Sequence, residues 1–196
     1  FPLESSSSFC SASICLTTPS TAEGDDASET AGTITVKIGD EEAVTCVDFA
    51  DAMAKVRAAD DSAKKVITLS AGTYTPVNGE TFRINEPNTV IQGAGVDATI
   101  INTGDVSVSG QAGVLLQADG VEIRDLSVVS NNPGVSGGAI KASDIGDGVN
   151  NMPRLKGIVI ENVSVSADVG FGLNLHGVEG AVVTNVTVEK AAKASV

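Results

Sequence analysis

The sequence predicts an all-β solenoid, and two observations carry that prediction. A short segment recurs: Gly120-Val-Glu-Ile-Arg-Asp-Leu-Ser-Val128 returns as Gly157-Ile-Val-Ile-Glu-Asn-Val-Ser-Val165 and again as Gly180-Ala-Val-Val-Thr-Asn-Val-Thr-Val188. The copies are rich in Val, Ile and Thr and broken by Gly and Asx, the pattern of strands stacked in a coil. Aromatic residues make up only 3% of the chain and there is no Trp. A narrow core of small β-branched side chains fits that composition better than a broad sandwich core does.

Each copy alternates and then slips. Val121 and Ile123 point one way, Glu122 and Arg124 the other, as strand geometry requires. After Asp125 the phase shifts by one, so Leu126 and Val128 become the apolar pair. The second copy repeats this around Asn162 and the third around Asn185. A phase slip at a fixed Asx predicts a bend between two strands, because Asn and Asp tolerate left-handed backbone angles. In a stacked coil Asp125, Asn162 and Asn185 would form an Asx ladder.

A weaker copy is Thr89-Val-Ile-Gln-Gly93, with Gly93 at the bend. Each later copy has a partner strand before it: Val114-Leu-Leu116, Ala139-Ile-Lys-Ala142 and Leu173-Asn-Leu175. Together they predict a rung of roughly 23–25 residues, with residues 143–156 as a loop inserted into the middle rung. No rung can bury its own apolar face, so stacking must do it.

Residues 1–32 form a Ser/Thr-rich, acidic arm, and residues 33–196 the coil domain. Thr33-Ile-Thr-Val-Lys-Ile38 alternates and predicts a strand. Residues 48–59 predict a helix with Phe49, Met53 and Val56 on one face and Asp48 as N-cap. Rungs begin at about residue 66, with Val66-Ile-Thr-Leu69 as the next strand and Ala71-Gly-Thr-Tyr74 turning it. The helix is expected to cap the first open end, since a solenoid end exposes unpaired strand edges. The C-terminal end shows no comparable cap. The tail after Val188 reads either as a short helical lid or as an open edge.

The formal net charge of −13 argues against nucleic acid as a partner, because no basic patch is present to neutralise phosphates. No apolar run reaches membrane-spanning length, so no membrane insertion is expected. The first residue is Phe1, and removal of a preceding segment is the expectation. A secreted or cell-surface protein suits this composition. Cys10, Cys15 and Cys46 would then give one disulfide and one free thiol, or one intermolecular bond. A bridge involving Cys46 is favoured, against the alternative of three reduced thiols.

The carrying segments Val66-Ile-Thr-Leu-Ser-Ala-Gly-Thr-Tyr74, Thr89-Val-Ile-Gln-Gly-Ala-Gly95 and the three Gly-to-Val repeats resemble the right-handed parallel β-helix superfamily, the pectin-lyase-like fold. The likeness spans about residues 45–190. It implies a right-handed parallel β-helix with an N-terminal capping α-helix. The superfamily includes polysaccharide lyases, galacturonases, esterases, adhesins, tailspikes and structural repeat proteins, so the resemblance informs fold more than function. Galacturonase-like members have paired aspartates and a Gly-His-Gly segment. Here His176 stands in Asn174-Leu-His-Gly177 without them. Esterase-like members need two aspartates and an arginine on one face, and Arg124 beside Asp125 at a bend does not match. Lyase-like members use a Lys or Arg base, for which Lys141, Arg154 and Lys156 flank the inserted loop.

The inserted loop is the strongest functional candidate, since insertions in solenoids map to one face. Asp144, Asp147 and Asn150 offer oxygen ligands for calcium, though their spacing matches no calcium-loop pattern. A solvated turn is the plainer reading, and no other cofactor is expected. His176 is a candidate general acid or base, set against an outward strand position beside inward Leu173 and Leu175. Asn162 and Asn185 head glycosylation sequons, but the repeat itself generates such triplets, as Asp125-Leu-Ser127 in the same position indicates. The arm is an O-glycan candidate or a plain linker.

Two functions are expected in order. The first is an extracellular structural module that self-associates, or pairs with another extracellular protein, in a filament or surface layer. In it, residues 33–38 would add as a strand to a neighbour's open edge. The alternative is a polysaccharide-active enzyme, a lyase or hydrolase, or a carbohydrate-binding domain, with its site beside the inserted loop. Ice binding fits poorly, because the outward residues are too mixed for threonine ladders.

Overall fold

The structure, a computed structural model, describes residues 32–76, 81–103, 112–130, 137–143 and 154–191. Fifteen strands and one helix follow in order: β1 Ile34–Ile38, β2 Val44–Cys46, α1 Phe49–Arg57, β3 Lys65–Leu69, β4 Gly72–Tyr74, β5 Phe82–Ile84, β6 Thr89–Gln92, β7 Thr99–Asn102, β8 Val114–Leu116, β9 Glu122–Ser130, β10 Gly138–Ser143, β11 Leu155–Lys156, β12 Val159–Ala167, β13 Phe171–His176, β14 Val178–Glu179 and β15 Val182–Ala191. The protein is mostly β, as expected, and every pairing from β3 onward is parallel.

The large sheet runs β15-β12-β9-β6-β3-β1-β2, with β4 and β7 continuing the β9 stack beyond its bend. A second sheet runs β13-β10-β8-β5, and β11 pairs with β14 in a third. The three sequence copies are β9, β12 and β15, and they lie side by side in parallel, equivalent residues opposite one another. Val121, Ile123, Leu126 and Val128 of the first copy are buried, as are Ile158, Ile160, Val163 and Val165 of the second. The burial alternation reverses at the Asx, as the sequence pattern requires. One apolar core takes residues from both main sheets and from α1.

The spacing of repeats is uneven in the way the sequence reading expects, with the middle rung the longer one. Asn162 and Asn185 are 23 residues apart, but Asp125 and Asn162 are 37 apart. Insertions between the strands absorb the difference, and parallel pairing is indifferent to how long the connection is. The weak copy is longer than its sequence suggests. Gly93 donates its N–H to the Arg124 carbonyl at 2.9 Å, which places it beside Asp125. The segment 94–98 then loops out before β7 resumes the stack against Ser127–Val129. The buried Thr99 hydroxyl ties that loop down, accepting from the Ala94 N–H at 2.9 Å and donating to the Ser70 carbonyl at 3.0 Å.

The N-terminal edge is closed by strands as well as by the expected helix. β1 lies antiparallel to β3 and β2 lies antiparallel to β1. This corrects the expectation that residues 33–38 complete a neighbour's sheet: β1 is already paired on both sides, with Ile34 and Val36 buried. Tyr74 fixes the entry to β1, its hydroxyl donating to the carbonyls of Thr33 at 3.1 Å and Ser70 at 3.0 Å. Helix α1 starts at Asp48, whose carboxylate accepts from the Asp51 N–H at 2.8 Å, a cap of about 1 kcal/mol. It buries Ala52, Met53 and Val56, and Phe49 packs its ring on Phe82 of β5 at 4.6 Å. The helix therefore covers the β5 end of the second sheet. The fully buried Lys65 serves the same end, its ammonium donating to the Pro87 carbonyl at 3.0 Å and the Asp61 carbonyl at 3.3 Å.

Candidate functional site

Two regions carry the functional expectations: the Asx ladder with the strand edge where it stops, and the cationic residues near the inserted loop. The ladder begins with backbone. Asp125, Asn162 and Asn185 have φ of +54°, +52° and +50°, the left-handed conformation that costs most side chains about 1 kcal/mol or more. Asx side chains tolerate it, and here they also gain partners in the stack. Gln92 donates its amide to Asp125 Oδ2 at 2.6 Å. Asn162 Nδ2 donates to Asp125 Oδ1 at 2.9 Å, and Asn185 Nδ2 donates to Asn162 Oδ1 at 2.8 Å. The Asp125 carboxyl is held below the usual carboxylate range, first by the Gln92 amide and then by Asn162. Both sequon nitrogens are thus engaged as ladder donors. Asn162 is half-buried and Asn185 exposed.

A second ladder marks the start of each copy. Gly120, Gly157 and Gly180 have φ near +67°, and Asn88 takes the equivalent place in the weak copy at +54°. Asn88 hydrogen-bonds through its N–H to the Asp119 carbonyl and through its carbonyl to the Lys65 N–H. The sequence reading starts that copy at Thr89 and misses Asn88, although an Asx before a Val-Ile pair is the available signal.

Strand β15 closes the stack. Among the described residues its ladder partner is β12, and the opposite edge has no strand on it. Two of the inward positions buried in β9 and β12 are uncovered here, Val183 at 43% exposed and Val188 at 39%, with Val182 beside them at 52%, while Ala181 and Val186 stay partly buried against the core. The strand continues to Ala191, so residues 189–191 extend the edge, and the rest of the tail lies outside the described residues.

The cationic candidates are brought near one another by backbone pairing. Lys141 lies opposite Asn174, and Ser143 opposite His176, across β10 and β13. The Leu155 N–H donates to the Gly177 carbonyl at 3.0 Å, which sets Arg154 next to the His176–Gly177 corner. His176 and Arg154 are exposed and Lys141 half-buried. Lys156 lies opposite Glu179, and its N–H donates to Asp119 Oδ1 at 2.8 Å. A depression of about 450 Å3 lies elsewhere, at the α1 end, lined by Ile38, Asp40, Glu41, Lys55 and Asp60 among others.

Asp144, Asp147 and Asn150 lie outside the described residues, as do Cys10 and Cys15. Among the described residues no group of three or more His, Cys, Asp or Glu is placed to hold a metal ion. Cys46 is buried as a free thiol at the end of β2, contacting the Val44 carbonyl at 3.7 Å. Burial pushes its pKa up. Among the described residues no helix is long and apolar enough to cross a membrane. No family model matches the chain, and no curated protein matches it.

Proposed function

We propose that this chain is an extracellular structural module, a right-handed parallel β-helix that self-associates through its open strand edge. The coil is supported by the parallel, in-register stacking of successive sequence copies in two sheets that share one core. The observation that carries the function is the state of β15: an edge with Val182, Val183 and Val188 uncovered. Long apolar strand edges are templates for pairing, and monomeric proteins blunt them with charge, proline or a covering element. Residues 182–188 contain no Lys, Arg, Asp, Glu or Pro. Secretion is proposed from the composition of the chain. Sedimentation velocity over a wide concentration range tests the reading, with reversible association expected. A single-chain species at every concentration would overturn it.

The polysaccharide-active reading has one observation in its favour, the approach of Arg154 to the His176–Gly177 corner with Lys141 on the adjoining strand. Assay against uronate polymers, with and without calcium, tests it. Turnover lost in Lys141→Ala or Arg154→Ala would place the chemistry there.

A further inference from the structure

Among the described residues, the two outermost strands of the large sheet, β2 and β15, end on the same aliphatic row. Following the pairings across the sheet, Val44 lies opposite Val36, then come Ile67, Ile91, Ile123, Ile160 and finally Val183. The interior members are buried, from Val36 at 2% to Ile160 at 0%. The terminal members are not: Val44 is 52% exposed and Val183 43%. The adjacent row ends in threonines, running Thr45, Thr35, Thr68, Gln92, Arg124, Glu161, Thr184. All the large hydrophobic side chains that are exposed among the described residues belong to these two ends: Val44 and Val47 at one, Val182, Val183 and Val188 at the other.

The two edges also point the same way. β2 is antiparallel to β1, which is antiparallel to β3. Two reversals return β2 to the direction of β3, β6, β9, β12 and β15. A second copy set with its β2 on β15 would therefore continue the sheet by parallel pairing, the geometry already used throughout the stack. Resting on the assembly reading above, we infer that copies of this chain add head to tail, β2 of one on β15 of the next, with Val44 over Val183 and Thr45 over Thr184. Such a contact is heterologous, and repeated it gives an open filament.

The ladder disfavours the tail-to-tail alternative. Asp125 can only accept, so Asn162 must turn its Nδ2 toward it and its Oδ1 away. Asn185 must then donate to that oxygen and present its own Oδ1 at the open end. Two β15 edges meeting about a two-fold axis at Asn185 would set acceptor against acceptor.

Two single substitutions test the polarity. Val183→Lys blocks the tail and leaves the head intact. Val44→Lys does the reverse. Each alone is expected to sediment as a single chain, association weakened at least ~10-fold, because a charged side chain on an apolar edge position opposes pairing with another strand. An equimolar mixture has one working head and one working tail per pair, so it should give dimers and nothing larger. Val183→Asp and Val44→Asp repeat the test with a shorter charged side chain, should a lysine variant fail to fold by circular dichroism. If the Val44 variants associate like the parent while the Val183 variants do not, the contact is tail to tail and the inference is overturned. If the parent itself never associates, the assembly reading falls with it.

Discussion

Asn162 is the position at which the ladder can be tested most sharply. Its side chain gives one charge-assisted hydrogen bond to Asp125 at 2.9 Å and accepts one from Asn185 at 2.8 Å, while its backbone holds φ at +52°. Replacing it with alanine removes both bonds and puts a Cβ without a polar group into the left-handed region. A hydrogen bond to a charged group contributes about 1.5–3 kcal/mol and a neutral one about 0.5–1.5. The lower ends apply here, because the ladder is only half-buried. With about 1 kcal/mol of backbone strain, Asn162→Ala should cost about 3 kcal/mol. For a domain of this size that is a fall of roughly 10 °C in Tm. Asn162→Gly loses the same bonds without the strain, so it should recover about 1 kcal/mol of the alanine loss. Asn162→Asp keeps the backbone tolerance but sets a carboxylate against Asp125. It should be the worst of the three at neutral pH and should improve as one carboxyl of the pair protonates. Urea unfolding followed by circular dichroism and by Tyr74, the one tyrosine of a chain without Trp, gives the three free energies. Losses under about 1 kcal/mol in all three variants would refute the ladder as a stabilising device. A glycine variant no more stable than the alanine one would refute the strain argument.

Other consequences are equally direct. Asp125 has its folded pKa lowered by the Gln92 and Asn162 amides. Its contribution is complete above the ordinary carboxylate pKa and is lost as pH falls through the depressed folded value. Asp125→Asn should therefore flatten the acid limb of stability against pH, while costing stability at neutral pH, because its single amide oxygen can accept from only one of Gln92 and Asn162. Gly93→Ala would place a Cβ 2.2 Å from the Asp125 carbonyl oxygen and 2.8 Å from Leu126 Cβ, and should cost at least ~3 kcal/mol in thermal or urea unfolding because packed backbone must move. The control is Gly39→Ala, with open space around it and φ of +54°, expected to cost only about 1 kcal/mol. Burial and the raised pKa of Cys46 should make its reaction with a disulfide reagent at neutral pH at least ~10-fold slower in folded than in urea-unfolded protein. If the chain is expressed in a glycosylating host, peptide mapping should find Asn162 unmodified, since its nitrogen is held against Asp125 in the stack.

The parts of the fold legible in the sequence are those written locally and more than once. The bends at Asp125, Asn162 and Asn185 show in the phase of Val, Ile and Leu around them, because strand periodicity has no freedom to hide a one-residue slip. Helix α1 and its cap at Asp48 are legible for the same reason: spacing and capping chemistry lie within one turn. What was not legible depends on partners far along the chain. β5, only three residues long, is a strand because β8 pairs with it, and Phe82-Arg-Ile84 shows too little alternation to announce that. The antiparallel cover of β1 over β3 depends on where the chain returns after α1, which no periodicity records. The loop after Gly93 was hidden, since the stack registers strands and not the lengths between them, whereas the longer middle rung was legible from the insertion at 143–156. The approach of Arg154 to the His176–Gly177 corner comes from the short β11–β14 pairing, too brief to leave a pattern.

The ladder also carries information that its residue types alone conceal. Read as bends, Asp125, Asn162 and Asn185 are interchangeable, because Asn and Asp share the same tolerance for positive φ. Stacked, they are not. Asp125 accepts from both sides, from Gln92 and from Asn162, and so it is the point from which amide orientation propagates. On its C-terminal side each Asn must face its nitrogen back toward the carboxylate and its oxygen onward. Were Asp125 an asparagine, it could face either way, and the column would lose its fixed direction. A single carboxylate thus gives the stack a polarity that ends in an acceptor at Asn185. That polarity, with β2 and β15 running the same way at opposite edges of one sheet, favours growth in line over closure of the open edge by a two-fold pair.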